Sequence, residues 1–183
     1  MWAEQNLDAN NYEWLDDQKS CITANWFDHG KVGPLKTQGE CGSCYAHSAV
    51  AAIETLAAKQ ARSMWPDDVP VFSEQQIVDC SLIPNFGCMG GEPKHAFSYI
   101  RENGLAKASI YPYEDNLGTC RYVPEIMKAY ELDDFKIFEY PLNEDLAKLV
   151  CQGTVSVNFY INDCIKGYAG GIIRDSEGEC GCS

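Results

Sequence analysis

The spacing of apolar residues predicts a helical first half of the chain. Between residues 43 and 62, alanine and aliphatic side chains recur at three- and four-residue steps, the period of a helix buried on at least one face. Ser43 is a plausible N-cap for that helix. A capping-box pattern at 73–76 predicts a short second helix. A third helix is predicted from Pro93, a favoured first-turn residue, to a C-terminal Gly104.

The second half has a different pattern. Apolar and polar residues alternate at 135–140 and at 155–161, which predicts two half-buried strands. Residues 143–150 between them predict a short helix. A helical lobe followed by a strand-rich lobe predicts an α+β fold with a cleft between the two lobes.

The charge of the chain narrows the range of partners. With 27 acidic and 14 basic residues the formal net charge is −13. Phosphate binding needs clustered Lys and Arg, so nucleic acid is not expected as a partner. No polybasic patch is available for an anionic membrane, and the apolar run at 49–53 is far too short to span a bilayer.

Cysteine usage indicates an oxidising compartment. Ten cysteines in 183 residues are uncommon where glutathione keeps thiols reduced. Zinc binding is the rival explanation, but the close pairs Cys41/Cys44 and Cys180/Cys182 have no histidine at zinc-type spacing. Disulfides are therefore favoured, and no metal or organic cofactor is expected. The first residues are polar and acidic, so no signal peptide is recognised.

One segment carries a chemical signature. Cys-Gly-Ser-Cys-Tyr at 41–45 matches the local pattern of papain and cathepsin nucleophiles and lies near the N-terminus, where that pattern is expected. Further blocks agree with this family in order along the chain: 73–80, 87–91, 111–113 and 170–172. From about Trp26 to its end, the chain resembles the papain-like cysteine proteases, C-terminally incomplete.

The resemblance implies that Cys44 is the attacking thiol and Gln38 an oxyanion-hole donor. Unpaired N–H groups and the macrodipole at a helix start favour the negative thiolate form. The side-chain N–H of Gln38 and the backbone N–H of Cys44 would together hold the oxyanion. The alternative for Cys44 is a disulfide with Cys41, although two cysteines three residues apart at a helix start seldom bridge well.

The same resemblance implies two disulfides, Cys41–Cys88 and Cys80–Cys120. An odd number of cysteines then remains. The family's usual bridge in the second lobe joins a cysteine near Cys180 or Cys182 to one beyond position 183, so an orphan half-cystine is expected. The pairing of these cysteines is left open: Cys21, Cys151, Cys164, Cys180 and Cys182.

Residues 90–93 are the substrate-binding residues that the resemblance implies. Gly90 and Gly91 would let a substrate backbone lie close and pair as an extended strand. Glu92 and Pro93 would flank the pocket for the residue two before the scissile bond. A carboxylate there could accept a basic side chain; alternatively, Glu92 faces solvent.

A catalytic base is missing from the pattern. The family supplies a histidine oriented by an asparagine, and the sequence has no histidine after His95. His47 lies one helical turn after Cys44, but its position predicts a core side chain. Neither His29 nor His95 is placed for catalysis. We therefore expect this chain alone to cleave peptides poorly. The alternatives are a non-catalytic papain-like binding or structural module, and an unrelated disulfide-rich binding protein.

The expected organisation has three parts. Residues 1–25 are an N-terminal extension or propeptide remnant, and 26–122 form a mainly helical lobe with the nucleophile. Residues 123–183 form a β-rich lobe truncated before the catalytic His/Asn segment. The resemblance implies peptide or protein substrates, and inhibitors of the cystatin or propeptide type. It also implies a missing segment or second chain that carries His and Asn, and a lysosomal, vacuolar or secreted location.

Overall fold

The computed structural model describes residues 25–60, 69–139, 141–159, 161 and 163–169. Its α-helices are α1 (Cys44–Gln60), α2 (Glu74–Cys80), α3 (Pro93–Asn103), α4 (Pro124–Met127), α5 (Asn143–Gln152) and α6 (Asp163–Lys166). A 3-10 turn spans Gly87–Met89, and strands β1 (Leu105–Ala106) and β2 (Lys128–Tyr130) pair antiparallel. These elements form an α+β fold, as the sequence predicts.

Helix α1 lies at the centre of the core. Its Ala46, Ala49, Val50 and Ile53 are buried and recur at the predicted helical steps. Helices α2 and α3 pack against it, because these small and aliphatic side chains remove apolar surface from water on that face. The prediction of a buried helix starting after Ser43 is confirmed.

The start of α2 confirms one half of the predicted capping box. The Ser73 hydroxyl accepts a 3.0 Å hydrogen bond from the backbone N–H of Gln76. The Gln76 side chain does not return to Ser73. It donates to the carbonyl of Gly104 (3.1 Å) and accepts from the backbone N–H of Ala106 (2.7 Å). Gln76 is fully buried, so its amide is satisfied by the end of α3 and by β1 rather than by its own helix.

The remaining helix predictions hold and the two strand predictions do not. Helix α3 begins at Pro93 and ends before Gly104, and α5 covers the predicted 143–150. Residues 135–139 and 155–159 form no strand. A strand needs the N–H and C=O groups of a neighbour, and no other part of the chain that the structure describes offers them there. Side-chain contacts hold these segments instead, such as Phe135 stacked on Phe97.

A groove separates the helical part from the second half of the chain. Its walls are mostly apolar and include Leu56 of α1, Phe97 of α3 and Val157 of the second half. Glu92 and Pro93 also line it, whereas Cys44 is not among the lining residues. This is the cleft that the sequence predicts between the two parts.

Other predictions fall outside the described residues. Apart from Asn25, these are the N-terminal extension 1–25, the block at 170–172, and Cys180 and Cys182. Across the described ranges, no helix is both long enough and apolar enough to cross a membrane.

Candidate active site

Cys44 is the first residue of α1, and its thiol is free and exposed. The first backbone N–H groups of a helix have no partner within the helix and carry the positive end of its dipole. Cys41 is bonded to Cys88, so the alternative Cys41–Cys44 pairing does not occur.

The Cys41–Cys88 disulfide holds the loop before α1 against the glycine-rich turn. Beside it, the backbone N–H of Gly42 donates to the carbonyl oxygen of Cys88 at 2.9 Å. A Cβ atom on Gly42 would lie 2.5 Å from that oxygen, so this approach requires glycine. The second implied disulfide, Cys80–Cys120, is also present and ties the end of α2 to a later loop. Cys151 is disulfide-bonded as well.

Gln38 lies on the loop that leads to Cys44. Its side-chain amide nitrogen donates a 3.1 Å hydrogen bond to the carbonyl oxygen of Cys41. An amide NH₂ group has two N–H donors, so one hydrogen bond does not exhaust it. The structure therefore places an amide donor six residues before Cys44, anchored to the loop that leads to it.

Tyr113 and Asp115 also form hydrogen bonds to this loop, and the sequence assigned no role to either. The Tyr113 hydroxyl donates to the carbonyl of Gln38 at 2.8 Å and lies 2.7 Å from the Ser43 hydroxyl. Asp115 accepts a 3.1 Å bond from the backbone N–H of Cys41. Tyr113 belongs to the Tyr-Pro-Tyr block that contributed to the resemblance. That block was the only signal that could have pointed to it.

Tyr45, in the first turn of α1, connects that turn to the glycine-rich turn at 87–91. Its side chain is buried, and its hydroxyl donates to the carbonyl of Gly87 at 3.1 Å. Burial, with a smaller effect from the adjacent Cys44, raises the pKa of Tyr45 to about 12. The hydroxyl therefore stays protonated and keeps this bond across the physiological pH range.

None of the three histidines is hydrogen-bonded to Cys44. His47 Nδ1 lies 3.1 Å from the carbonyl oxygen of Ser43, and its ring packs edge-on against Tyr113 at 4.9 Å. It is half-buried, consistent with a packing role. His29 is exposed beside Trp26, and His95 lies on α3, where burial lowers its pKa.

The turn at 90–93 is shaped by Asn85. The buried Asn85 side-chain oxygen accepts a 2.9 Å bond from the backbone N–H of Glu92. A Cβ on Gly91 would lie 2.4 Å from the same oxygen, so a larger residue cannot occupy this position without displacement. The Glu92 carboxylate is exposed and pairs with Lys94 at 2.8 Å, and that hydrogen bond lowers the pKa of Glu92.

These features bring an exposed thiol at a helix start together with an amide-bearing loop and an open glycine turn. A thiol at a helix start is a chemically favoured position for a nucleophile. Among the residues that the structure describes, no group of three or more His, Cys, Asp or Glu side chains is arranged to hold a metal ion.

The chain matches the papain family cysteine protease description over residues 22–182. It belongs to the papain family of cysteine proteases.

Known relatives agree with this assignment. The chain is 36% identical to the oryzain gamma chain of Oryza sativa subsp. japonica, covering all of this chain and 50% of the relative. It is 36% identical to a cathepsin L-like proteinase of Phaedon cochleariae, covering 83% and 45%. The solved structure of digestive procathepsin L2 from Tenebrio molitor larval midgut superposes with a TM-score of 0.52 at 40% identity, covering 58% of this chain and 33% of that one. The chain thus spans about half the length of the curated relatives it matches.

Proposed function

We propose that Cys44 is the nucleophile of a cysteine-type peptidase and that Gln38 is one of its oxyanion donors. The observation that carries this proposal is the free thiol at the N-terminus of α1, whose position is fixed by the adjacent Cys41–Cys88 disulfide. The other cysteine of the same motif is sequestered, which leaves Cys44 available to attack a substrate. Membership of the papain family supports the same chemistry.

The reaction assigned to these residues is acyl transfer. The Cys44 thiolate attacks the peptide carbonyl carbon, and a C–S bond forms while the carbonyl oxygen becomes an oxyanion. The backbone N–H of Cys44 and the side chain of Gln38 donate to that oxygen. When the C–N bond breaks, the amine leaves with a proton from a general acid, and water then hydrolyses the thioester. The family takes that proton from a histidine, and no histidine in this sequence is bonded to Cys44.

Peptide binding is assigned to the turn at 90–93. Gly90 has open space where a side chain would lie, which supports the close approach of an extended substrate backbone. Pro93 and Glu92 line the apolar groove, consistent with a pocket for the side chain two residues before the scissile bond. Because the Glu92 carboxylate is exposed and pairs with Lys94, it is available to bind a basic substrate residue only in competition with that lysine.

Partners and location follow from the same proposal. Protein or peptide substrates are expected, together with inhibitors of the cystatin or propeptide type. The procathepsin structure is consistent with the propeptide type. A segment or second chain with His and Asn would complete the catalytic group. The two disulfides support an oxidising compartment, lysosomal, vacuolar or extracellular.

A reversible peptidyl aldehyde tests the proposal on the 183-residue chain. The thiolate adds to the aldehyde and places an oxyanion where Gln38 can donate to it. We expect an adduct at Cys44 by mass spectrometry, which Cys44→Ser abolishes. Gln38→Ala should weaken the adduct about tenfold or more, because one donor to a developing oxyanion is lost.

Two results distinguish the alternatives. Peptide affinity without an adduct at Cys44 would indicate a non-catalytic binding module of the same fold. If the chain neither binds the peptide nor forms an adduct at Cys44, the proposal is overturned altogether.

A further inference from the structure

We infer that Tyr113 is a positioning residue for the proposed thiol site, because its single hydroxyl links the Gln38 loop to the start of α1. This inference rests on the proposed function. It assigns a role to a residue outside the nucleophile motif, 69 positions after Cys44 in the sequence.

The direction of the hydrogen bonds follows from the proton count. A backbone carbonyl only accepts, so the Tyr113 hydroxyl donates its one proton to the carbonyl of Gln38. Ser43 then donates in its 2.7 Å contact with the Tyr113 hydroxyl. That contact is shorter than those of Ser43 with the Cys41 carbonyl (3.4 Å) and with His47 Nδ1 (3.3 Å). The result is a chain of two hydrogen bonds that runs from Ser43 through the Tyr113 hydroxyl to the backbone of Gln38.

The two ends of this chain of hydrogen bonds adjoin the two proposed oxyanion donors. One end is the backbone of Gln38, whose side chain supplies the first donor. The other is Ser43, which directly precedes the Cys44 N–H that supplies the second. A shift of either end would change the distance between the donors, and oxyanion stabilisation depends on donors placed within a few tenths of an ångström.

Tyr113 is itself held in place by its surroundings. Its ring packs edge-on against His47 at 4.9 Å, and Asp115, two residues on, accepts the backbone N–H of Cys41. Burial raises the pKa of Tyr113; the hydrogen bond with Ser43 opposes the shift and the negative charge of Asp115 adds to it, so the hydroxyl keeps the proton that it donates. The segment 113–115 therefore clamps the nucleophile loop at three polar contacts.

The test compares two probes of Cys44 in Tyr113→Phe, which removes only the hydroxyl. A peptidyl aldehyde forms an oxyanion, whereas alkylation by iodoacetamide forms none. We expect Tyr113→Phe to weaken the aldehyde adduct about tenfold, as expected for a lost hydrogen bond that orients a charged group, and to change the alkylation rate less than about twofold. The control is Tyr122→Phe, whose hydroxyl donates to the carbonyl of Asn103 at 2.9 Å away from the site, and neither probe should respond.

A double variant separates positioning from a general loss of stability. If Tyr113 acts through Gln38, the aldehyde adduct of the double variant Tyr113→Phe/Gln38→Ala should be little weaker than that of Gln38→Ala alone. The inference would be overturned if the two substitutions weakened the adduct by fully additive amounts. It would also be overturned if adduct formation and alkylation fell together with the melting temperature. If Tyr113→Phe does not fold, Ser43→Ala removes the hydrogen bond between Ser43 and Tyr113 instead. It should weaken the aldehyde adduct and leave the alkylation rate nearly unchanged, and an unchanged adduct in Ser43→Ala would also overturn the inference.

The failure of this inference differs from the failure of the proposed function. An unchanged aldehyde adduct in Tyr113→Phe, with a weakened adduct in Gln38→Ala, refutes the role of Tyr113 alone. A wild-type chain that forms no adduct at Cys44 refutes the proposed function, and the role of Tyr113 falls with it.

Discussion

The backbone N–H of Gly42 donates to the carbonyl oxygen of Cys88 at 2.9 Å, one residue after the disulfide that joins Cys41 to Cys88. The glycine turn and the start of α1 are therefore joined twice, by a covalent and a hydrogen bond. Two residues that are 46 positions apart in the sequence become immediate neighbours beside Cys44.

Gly42→Ala should disturb this contact. The added Cβ would lie 2.5 Å from the Cys88 carbonyl oxygen, so the backbone must move. We expect a loss of about 1–3 kcal/mol in the free energy of unfolding, measured by urea denaturation, and a weaker aldehyde adduct at Cys44. The control is Gly33→Ala, whose Cβ would make an ordinary 3.4 Å contact with Val69. Equal effects in both variants would contradict the close-approach argument.

The two disulfides should contribute similarly to stability but differently to the reactivity of Cys44. Each closes a loop of similar length, with sequence separations of 47 and 40, so removal of either should cost about 2–4 kcal/mol of stability. Replacement of Cys41 and Cys88 by serine should also weaken the aldehyde adduct, because that bridge adjoins Cys44. Replacement of Cys80 and Cys120 is the matched control. An equal weakening of the adduct by both pairs would refute a special role for the first.

Lys36 forms ion pairs with two buried carboxylates. Its ammonium lies 2.6 Å from Glu54 and 2.5 Å from Glu74, and both glutamate side chains are 4% exposed. Lys36→Met would leave two like charges buried together without a counter-ion, and we expect a loss of about 3 kcal/mol in thermal or chemical denaturation. Lys94→Met breaks the exposed pair with Glu92 and should cost less than about 1 kcal/mol. A similar cost for both variants would contradict this assignment.

The same cluster predicts a pH dependence of stability. Burial raises the pKa of Glu54 above 4.5, although Lys36 and the backbone N–H of Phe72 oppose the shift and Glu74 adds to it. The folded chain therefore binds this proton more tightly than the unfolded chain. The stabilisation that comes from protonated Glu54 is fully present below about pH 4.5 and is lost as the pH rises through the folded-state pKa.

Denaturation of wild type and Glu54→Gln between pH 4 and 7 measures this effect. The stability of wild type relative to Glu54→Gln should increase as the pH falls. Glu92→Gln is the control of opposite sign, because the pKa of Glu92 is lowered by its bond to Lys94. If the difference in the free energy of unfolding between wild type and Glu54→Gln did not change with pH, the burial of Glu54 would have no influence on its protonation.

His47→Gln should leave the alkylation of Cys44 unchanged. The His47 ring bonds to the Ser43 carbonyl and packs on Tyr113, and it makes no hydrogen bond to Cys44. We expect the alkylation rate of Cys44 to stay within about twofold of wild type, because no base acts on the thiol from this position. Cys44-dependent peptide turnover by the 183-residue chain that is lost in His47→Gln would require a new role for His47.

Local sequence was sufficient for the four longer helices and for recognising the Cys-Gly-Ser-Cys-Tyr motif, whereas the four-residue helices α4 and α6 and the β1–β2 pair were not predicted. Helical spacing, Pro93 and Gly104 act within one or two turns of the chain, and the structure confirms the helices that they predict. Strands depend on partners that local sequence does not specify. The alternation at 135–140 and 155–161 thus predicted strands that the described residues do not form.

By itself, the sequence determined the family, the position of Cys44 at a helix start, and the loop that carries Gln38. Each depends on residues close together in the chain. Only the tertiary structure decided that Tyr113 connects Gln38 to Ser43, that Gln76 serves β1 rather than its own helix, and that no histidine in the sequence is bonded to Cys44. Those contacts join distant segments, and the packing of α1 against α2 and α3 determines which side chains meet.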